Sequence, residues 1–98
     1  MDVEEFYIEK RDNFVQFLSE LKSEYAPDTV GISPLNHFST LDFEAFQGYK
    51  VLLKAAVESG SVDGYVKTFL WEDGIDIGKV SSDRVSKLKR YLELFSSL

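Results

Sequence analysis

The sequence predicts an all-α protein, a compact bundle of four to five helices in a single small domain that spans residues 1–98. Apolar residues recur at the three- and four-residue spacing of one helix face in four separate segments. Capping residues stand before these segments, and glycine or proline stands after the first two. A length of 98 residues with 44% hydrophobic residues also suits one domain with one core.

The first predicted helix runs from about Asp2 to Tyr25. Its first residues, DVEE, have the spacing of a capping box, and the proline at position 27 disfavours a longer helix. Its apolar stripe consists of Phe6, Tyr7, Phe14, Phe17, Leu18, Leu21 and Tyr25. Lys10 and Arg11 interrupt the stripe, so two helices joined near Asp12 are the alternative.

Residues 27–40, PDTVGISPLNHFST, are predicted to be a long connection, because they contain two prolines and a glycine. Connections of this length are usually functional or disordered. The apolar residues within it argue against disorder and predict packing on the bundle: Val30, Ile32, Leu35 and Phe38. A short strand at 30–32 is a minor alternative.

The next predicted helix lies in residues 39–60, with Ser39 or Thr40 as its cap and Gly60 as its end. Its apolar face consists of Phe43, Phe46, Tyr49, Leu53, Ala56 and Val57. Gly48 lies inside this helix and costs about 1 kcal/mol relative to alanine. A close contact with another helix would explain this glycine.

Two further helices complete the predicted bundle. Residues 61–73 form a short one, with an apolar side made of Val62, Tyr65, Val66, Phe69 and Leu70. The glycines in the segment GIDIGKV turn the chain, and Ser81 or Ser82 caps the last helix. The buried face of that last helix is predicted to contain Val85, Leu88, Tyr91, Leu92 and Phe95.

Composition excludes several kinds of protein. The chain has no cysteine, so it has neither disulfides nor a thiolate metal site. No run of 18 apolar residues is present, and the acidic first ten residues do not resemble a targeting peptide. We therefore expect an intracellular, soluble protein with no membrane association.

Charge is unevenly placed along the chain, whose formal net charge is -6. Residues 1–28 hold eight acidic and three basic side chains, a net charge of -5, whereas residues 79–98 hold two acidic and five basic side chains, a net charge of +3. The acidic residues of the first helix are expected to form a solvated face. The sharper interpretation is a docking surface for a basic partner, or a mimic of nucleic-acid charge, made of Glu4, Glu5, Glu9 and Asp12.

The basic side chains of the last helix are interpreted first as a solvated rim beside its apolar face. The alternative is a helix-turn-helix that contacts DNA through Ser81, Ser82, Arg84, Lys87 and Arg90. The net charge disfavours DNA binding, since affinity for DNA comes largely from neutralising phosphates.

Two resemblances bear on this alternative. Residues 46–71 followed by 81–95 resemble the ARID DNA-binding domains, which have a small-residue turn, a later tryptophan and a closing helix with Leu-Lys, Tyr and Leu. The chain departs from that family in having one glycine at the turn, a short stretch after Trp71 and an acidic net charge. Residues 9–21 resemble one helix of the AsiA-type phage anti-sigma factors, small acidic proteins that bind an RNA polymerase sigma subunit. Both resemblances imply a role in transcription.

Trp71 is the only tryptophan, and it projects roughly opposite to Val62 on the short helix. A short helix in a small bundle is expected to be covered on two sides, which favours a buried indole. The alternative is a partly exposed indole that anchors a protein partner, since tryptophan is enriched among the residues that dominate binding energy. Trp71 is therefore a candidate partner-binding residue.

Catalysis is not expected. The single histidine, His37, forms a Ser-His-Asp set on paper with Ser33 or Ser39 and with Asp42, but no nucleophile-elbow motif surrounds either serine. The acidic segment EDGIDIG lacks the ligand spacing of a calcium loop and is expected to be a turn. We expect no metal and no cofactor.

The functional expectation is a non-enzymatic protein-interaction module that regulates a larger machine, one acting in transcription or elsewhere on nucleic acid, by protein contact. The alternative is a DNA-binding domain, and a remote one is an acidic inhibitor that mimics nucleic-acid charge. A homodimer is compatible with the 14% aromatic content.

Overall fold

A computed structural model describes residues 2–26, 34–72 and 74–98 of the protein and confirms the all-α fold class. Within these ranges the chain forms α1 (Val3–Tyr25), α2 (Pro34–Ser39), α3 (Phe43–Glu58), α4 (Val62–Glu72), a 3₁₀ helix (Ile77–Lys79) and α5 (Ser82–Ser96). The strand considered at 30–32 lies outside the described residues. None of the described helices has the length and apolar character needed to cross a membrane.

Helix α1 is continuous, so the alternative of two helices joined near Asp12 is wrong. Its cap is the predicted one: the Asp2 carboxylate accepts a hydrogen bond from the Glu5 N–H at 2.8 Å. Arg11 interrupts the apolar stripe without breaking the helix, because its guanidinium donates to the carbonyl oxygen of Leu41 at 3.2 Å. The polar residue thereby has a partner at the edge of the core.

Part of the predicted connection over residues 27–40 is helical, because residues 34–39 form α2. Residues 27–33 lie outside the described part. Proline is favoured at the first position of a helix, where its missing N–H leaves no bond unmade. Phe38 is fully buried, and its ring meets the Phe14 ring edge-on at a centroid distance of 5.0 Å. The predicted packing on the bundle is therefore confirmed for Phe38, on a helix instead of a loop.

The cap of α3 is Asp42 and not Ser39 or Thr40. The Asp42 carboxylate accepts a hydrogen bond from the Ala45 N–H at 2.7 Å. Ser39 is the last residue of α2, so the capping signal read at 39–40 belongs to the end of one helix instead of the start of the next. Carboxylate caps also suit the positive end of the helix dipole.

Helix α3 ends at Glu58, and the predicted glycine, Gly60, follows two residues later and terminates it. Gly60 has φ +76°, in the left-handed region that glycine adopts without strain. The N–H of Ser61 donates to Ala56 and that of Gly60 to Val57, the paired bonds of a Schellman motif. Gly48 does not make the expected close helix contact, because a Cβ built there meets nothing within 4 Å.

A single core cluster draws residues from all five α-helices and from the turn before α5. Phe95 of α5 lies near its centre, with ring centroids from α1, α2 and α3 at 5.4 to 6.0 Å: Tyr7, Phe14, Phe38 and Phe46. Most of the chain's aromatic residues thus pack the core, and a few remain for surfaces. That residues 1–98 form one domain stays a prediction.

Candidate docking surfaces

Trp71 is exposed, so the expectation of a buried indole is wrong. Its exposed fraction is 74%, whereas Val66, Phe69 and Leu70 of the same helix are buried. The core covers α4 on the side of those three residues, and Trp71 lies on the flank left open. The structure thus shows the exposure that the alternative for Trp71 requires, and the role of Trp71 in binding a partner stays a prediction.

A groove of about 710 Å³ runs beside the indole. Its lining comes from α4 and the turn that follows: Gly64, Lys67, Thr68, Trp71, Gly74, Ile75, Asp76 and Ile77. Gly64 has no side chain to fill the groove, and a Cβ built there meets nothing within 4 Å. We call this surface the Trp71 groove.

Hydrogen bonds fix the turn that forms one wall of the Trp71 groove. Gly74 has φ +78°, and its N–H donates to the Trp71 carbonyl at 2.9 Å. The Ile75 N–H donates to the Leu70 carbonyl at 2.9 Å, which completes a Schellman motif. The Asp76 carboxylate accepts from the Gly78 N–H at 2.9 Å and so caps the 3₁₀ helix. These three bonds hold residues 74, 75 and 78 in place at the end of α4.

The acidic candidate residues lie on α1, apart from the Trp71 groove. Glu4, Glu5, Glu9 and Asp12 are all exposed, and the last three follow one line of the helix surface. Asp12 accepts a hydrogen bond from Arg11 at 3.0 Å. The groove lining includes no residue of α1, so the predicted site divides into two surfaces.

Two of the five predicted DNA-contacting residues have hydrogen-bond or ion-pair partners within the chain. The Ser81 hydroxyl caps α5 by accepting from the Arg84 N–H at 3.4 Å. The Arg84 guanidinium is ion-paired with Glu24 and donates to the Tyr25 hydroxyl at 3.1 Å. Ser82 is exposed in the first turn. Arg84, in the first turn of α5, therefore links this helix to the end of α1.

Lys87 and Arg90, the remaining two, line a second groove of about 240 Å³ between α5 and α1. We call it the basic groove; its lining is Lys10, Lys87, Arg90, Tyr91 and Leu94. The structure brings Lys10 to this place from the other end of the chain. Sequence reasoning missed Lys10 as a site residue, although its interruption of the apolar stripe was the signal.

His37 lies on α2, and the expectation that it takes no part in catalysis stays a prediction. Its side chain is exposed, and its ring centroid lies 5.6 Å from that of Tyr49. The Asp42 carboxylate is engaged as the cap of α3, and Ser33 lies outside the described part. Within residues 2–26, 34–72 and 74–98, no cluster of histidine, aspartate and glutamate could hold a metal ion.

Near His37, a tyrosine pair links α3 to α4. The hydroxyl groups of Tyr49 and Tyr65 are hydrogen-bonded to each other in a partly buried position. Burial raises the pKa of both hydroxyl groups above the ordinary value of tyrosine. Both groups are thus neutral at physiological pH, and the bond between them is structural.

Comparison of the chain with protein-family models, curated proteins and solved structures gives no match. The functional argument therefore depends on the surfaces described above.

Proposed function

We propose that the chain is a non-enzymatic protein-interaction module and that the Trp71 groove is its docking surface. The exposed indole at the edge of an open groove carries this proposal. Leaving an indole in water forgoes the free energy that its burial would provide. Tryptophan is also one of the residue types that are enriched among binding hot spots.

The groove has a chemical character that specifies the segment it would accept. Trp71 and the partly exposed Ile77 offer apolar contact, while Lys67 and Asp76 offer charges of both signs. Ile75 is only 3% exposed and belongs to the core. A partner segment with one or two large apolar side chains fits this lining. The net charge of -6 and the exposed carboxylates of α1 favour the approach of a basic segment.

Regulation of a larger machine that acts on nucleic acid, in transcription or elsewhere, is the wider form of the proposal. Its support is the pair of sequence resemblances and the acidic character of the chain. Mimicry of nucleic-acid charge by α1 would use the same carboxylates. These settings stay predictions, as does a homodimer.

The DNA-binding alternative has less support. Ser81 and Arg84 are occupied within the chain. Helix α4 ends at Glu72 and α5 begins at Ser82, a longer separation than the turn of three or four residues in a helix-turn-helix. DNA binding through α5 also stays a prediction.

The proposal is tested with peptides selected from a random dodecamer library on the full 98-residue protein. We expect the selected peptides to combine large apolar residues with lysine or arginine. Truncation of a hot-spot residue costs about 2 kcal/mol or more. Trp71→Ala should therefore weaken peptide binding by at least about 10-fold, as measured by the anisotropy of a labelled peptide.

Leu52→Ala is the matched control, because Leu52 is a large apolar residue of α3 with 68% exposure and lies outside the groove lining. It should change the peptide dissociation constant by less than about two-fold, since surface substitutions away from a site have small effects. Peptides that bind Trp71→Ala as well as the unaltered protein would contradict the proposal.

A further inference from the structure

We propose that the basic groove binds a phosphate monoester that carries an apolar group. The groove lies between α1 and α5 and shares no lining residue with the Trp71 groove. The inference is therefore independent of the proposed docking function. It rests on three features of the groove: unbalanced charge, side chains held in place, and a free hydroxyl beside an apolar surface.

The charge in the groove is unbalanced. Two ammonium groups and one guanidinium line about 240 Å³, and no carboxylate is among the lining residues. Three other cations of the described residues are paired with carboxylates: Arg11, Arg84 and Lys89. Lys10, Lys87 and Arg90 have no such partner in the described part of the chain. An anion in the groove would relieve the repulsion among the three like charges.

Aromatic rings of α1 hold both lysines beside the groove. The Lys10 ammonium lies 5.3 Å from the centroid of the Phe6 ring, and the Lys87 ammonium lies 4.9 Å from that of Phe17. Cation–π contacts of this kind are attractive even at exposed sites. The two cations are thus partly ordered in the absence of a ligand, which lowers the entropy cost of binding one.

Tyr91 and Leu94 add a hydrogen-bond donor and an apolar surface to the charged groove. The Tyr91 ring packs against Phe14 at 4.9 Å and against Phe17 at 5.8 Å, so its position is fixed by the core. Its hydroxyl makes no hydrogen bond to a described residue and is free to donate to a ligand oxygen. The Leu94 side chain supplies apolar surface in the same lining.

These features select a phosphate monoester among anions. A phosphate monoester carries a charge of about -1.5 to -2 and three acceptor oxygens, whereas a carboxylate carries one charge and two oxygens. The planar fork of Arg90 can donate two parallel hydrogen bonds to a phosphate, while the lysines act as point charges. The apolar part of the ester would lie on Leu94 and the Tyr91 ring.

An extended polyanion is a poorer ligand than a single phosphate. The rest of the surface is acidic, as the net charge of -6 requires, and it repels phosphates that lie beyond the groove. At physiological ionic strength such interactions act over about 8 Å. A ligand confined to the groove therefore meets mainly the three cations.

The test is a titration of isotope-labelled protein with phenyl phosphate at low salt, followed through backbone amide resonances. We expect saturable shifts concentrated at Lys10 and in residues 87–94. The double variant Lys87→Gln/Arg90→Gln should weaken binding at least about 10-fold. Lys79→Gln removes one charge from an exposed lysine outside the groove, and it should change the affinity by less than about two-fold.

Three companion probes separate the sources of affinity: inorganic phosphate, benzoate and duplex DNA. Inorganic phosphate has the charge without the ring, and benzoate has the ring with one charge, so both should bind more weakly than phenyl phosphate. Inorganic phosphate binding as tightly as phenyl phosphate would overturn the apolar part of the inference. Shifts spread evenly over all surface lysines, absence of saturation, or tighter binding of duplex DNA at equal phosphate concentration would overturn the site itself.

Discussion

Tyr7 is a polar residue in the core, and its hydroxyl group has a hydrogen-bond partner there. The ring is fully buried and stacks on Phe46 at a centroid distance of 4.3 Å. The hydroxyl donates to the Leu41 carbonyl at 2.7 Å, and Arg11 donates to the same oxygen. This carbonyl, which belongs to the residue before the Asp42 cap of α3, is thus bound to α1 by two donors.

Tyr7→Phe should lower the free energy of unfolding by about 1 kcal/mol, the usual net value of a hydrogen bond. The loss should not be larger, because Arg11 still satisfies the Leu41 carbonyl and the phenyl ring keeps the stacking. Urea unfolding of the variant and the unaltered protein measures the difference. Tyr91→Phe is the control, since the Tyr91 hydroxyl has no hydrogen bond to a described residue, and its cost should be under about 0.5 kcal/mol. Equal stability of Tyr7→Phe and the unaltered protein would show that the Leu41 bond contributes nothing.

At the scale of an element, α3 contains a glycine that its packing does not use. Gly48 is exposed, and a Cβ at this position meets nothing within 4 Å. Its backbone φ lies outside the left-handed region, so alanine fits without strain. The glycine therefore weakens the helix without a compensating contact.

Gly48→Ala should raise the free energy of unfolding by about 1 kcal/mol, because alanine is favoured over glycine by that amount inside a helix. Thermal or urea unfolding measures the gain. Gly60→Ala is the contrasting variant: Gly60 has φ +76°, so alanine there should destabilise the protein. A destabilised Gly48→Ala would mean that this face of α3 is covered in solution.

The helices were predictable where local patterns specify them. The Asp2 cap, the end of α3 at Gly60 and the buried residues Leu88, Leu92 and Phe95 of α5 are confirmed. The start of α3 was misplaced because Ser39, Thr40 and Asp42 all have capping side chains. The choice among these three caps depends on whether α2 forms, because α2 includes Ser39 and leaves Asp42 to cap α3. The formation of α2 depends in turn on the tertiary burial of Phe38.

The candidate surfaces were less predictable than the helices, because they depend on how the elements pack. Helical spacing shows that Trp71 leaves the apolar face of α4, but it does not show whether another element covers that flank. Lys10 and Lys87 are distant in sequence and become neighbours only when α1 and α5 meet. The pattern of α1 marks Lys10 as an interruption of the apolar stripe, but it carries no signal that Lys87 will lie beside it.

For the whole molecule, the helices associate mainly through the buried core. The ion pairs on the surface contribute less. The Arg84–Glu24 and Lys89–Asp63 pairs link α5 to α1 and to α4, but their side chains are substantially exposed. Exposed ion pairs contribute little to stability and weaken in salt. The buried rings and leucines of the core cluster are therefore the main source of stability, and added salt should change it little.

That buried aromatic core also predicts how the protein responds to alkali. Burial raises the pKa of Tyr7 to about 12, and burial likewise raises those of Tyr49 and Tyr65. In the unfolded chain these hydroxyls ionise near pH 10. Below pH 10 both states keep the protons, so these groups leave stability unchanged. As pH rises from about 10 toward 12, only the unfolded state loses them, and stability must fall.

Urea midpoints measured across this range should therefore decline, and the decline should be less steep in Tyr7→Phe, which has one fewer buried hydroxyl to ionise. Tyrosinate absorbance of the folded protein provides the independent measure. Tyr7, Tyr49 and Tyr65 should resist ionisation until the helical circular dichroism is lost, because ionising them in place would put charge into the core. Full ionisation of all five tyrosines near pH 10 with the helices intact would contradict the burial on which the fold depends.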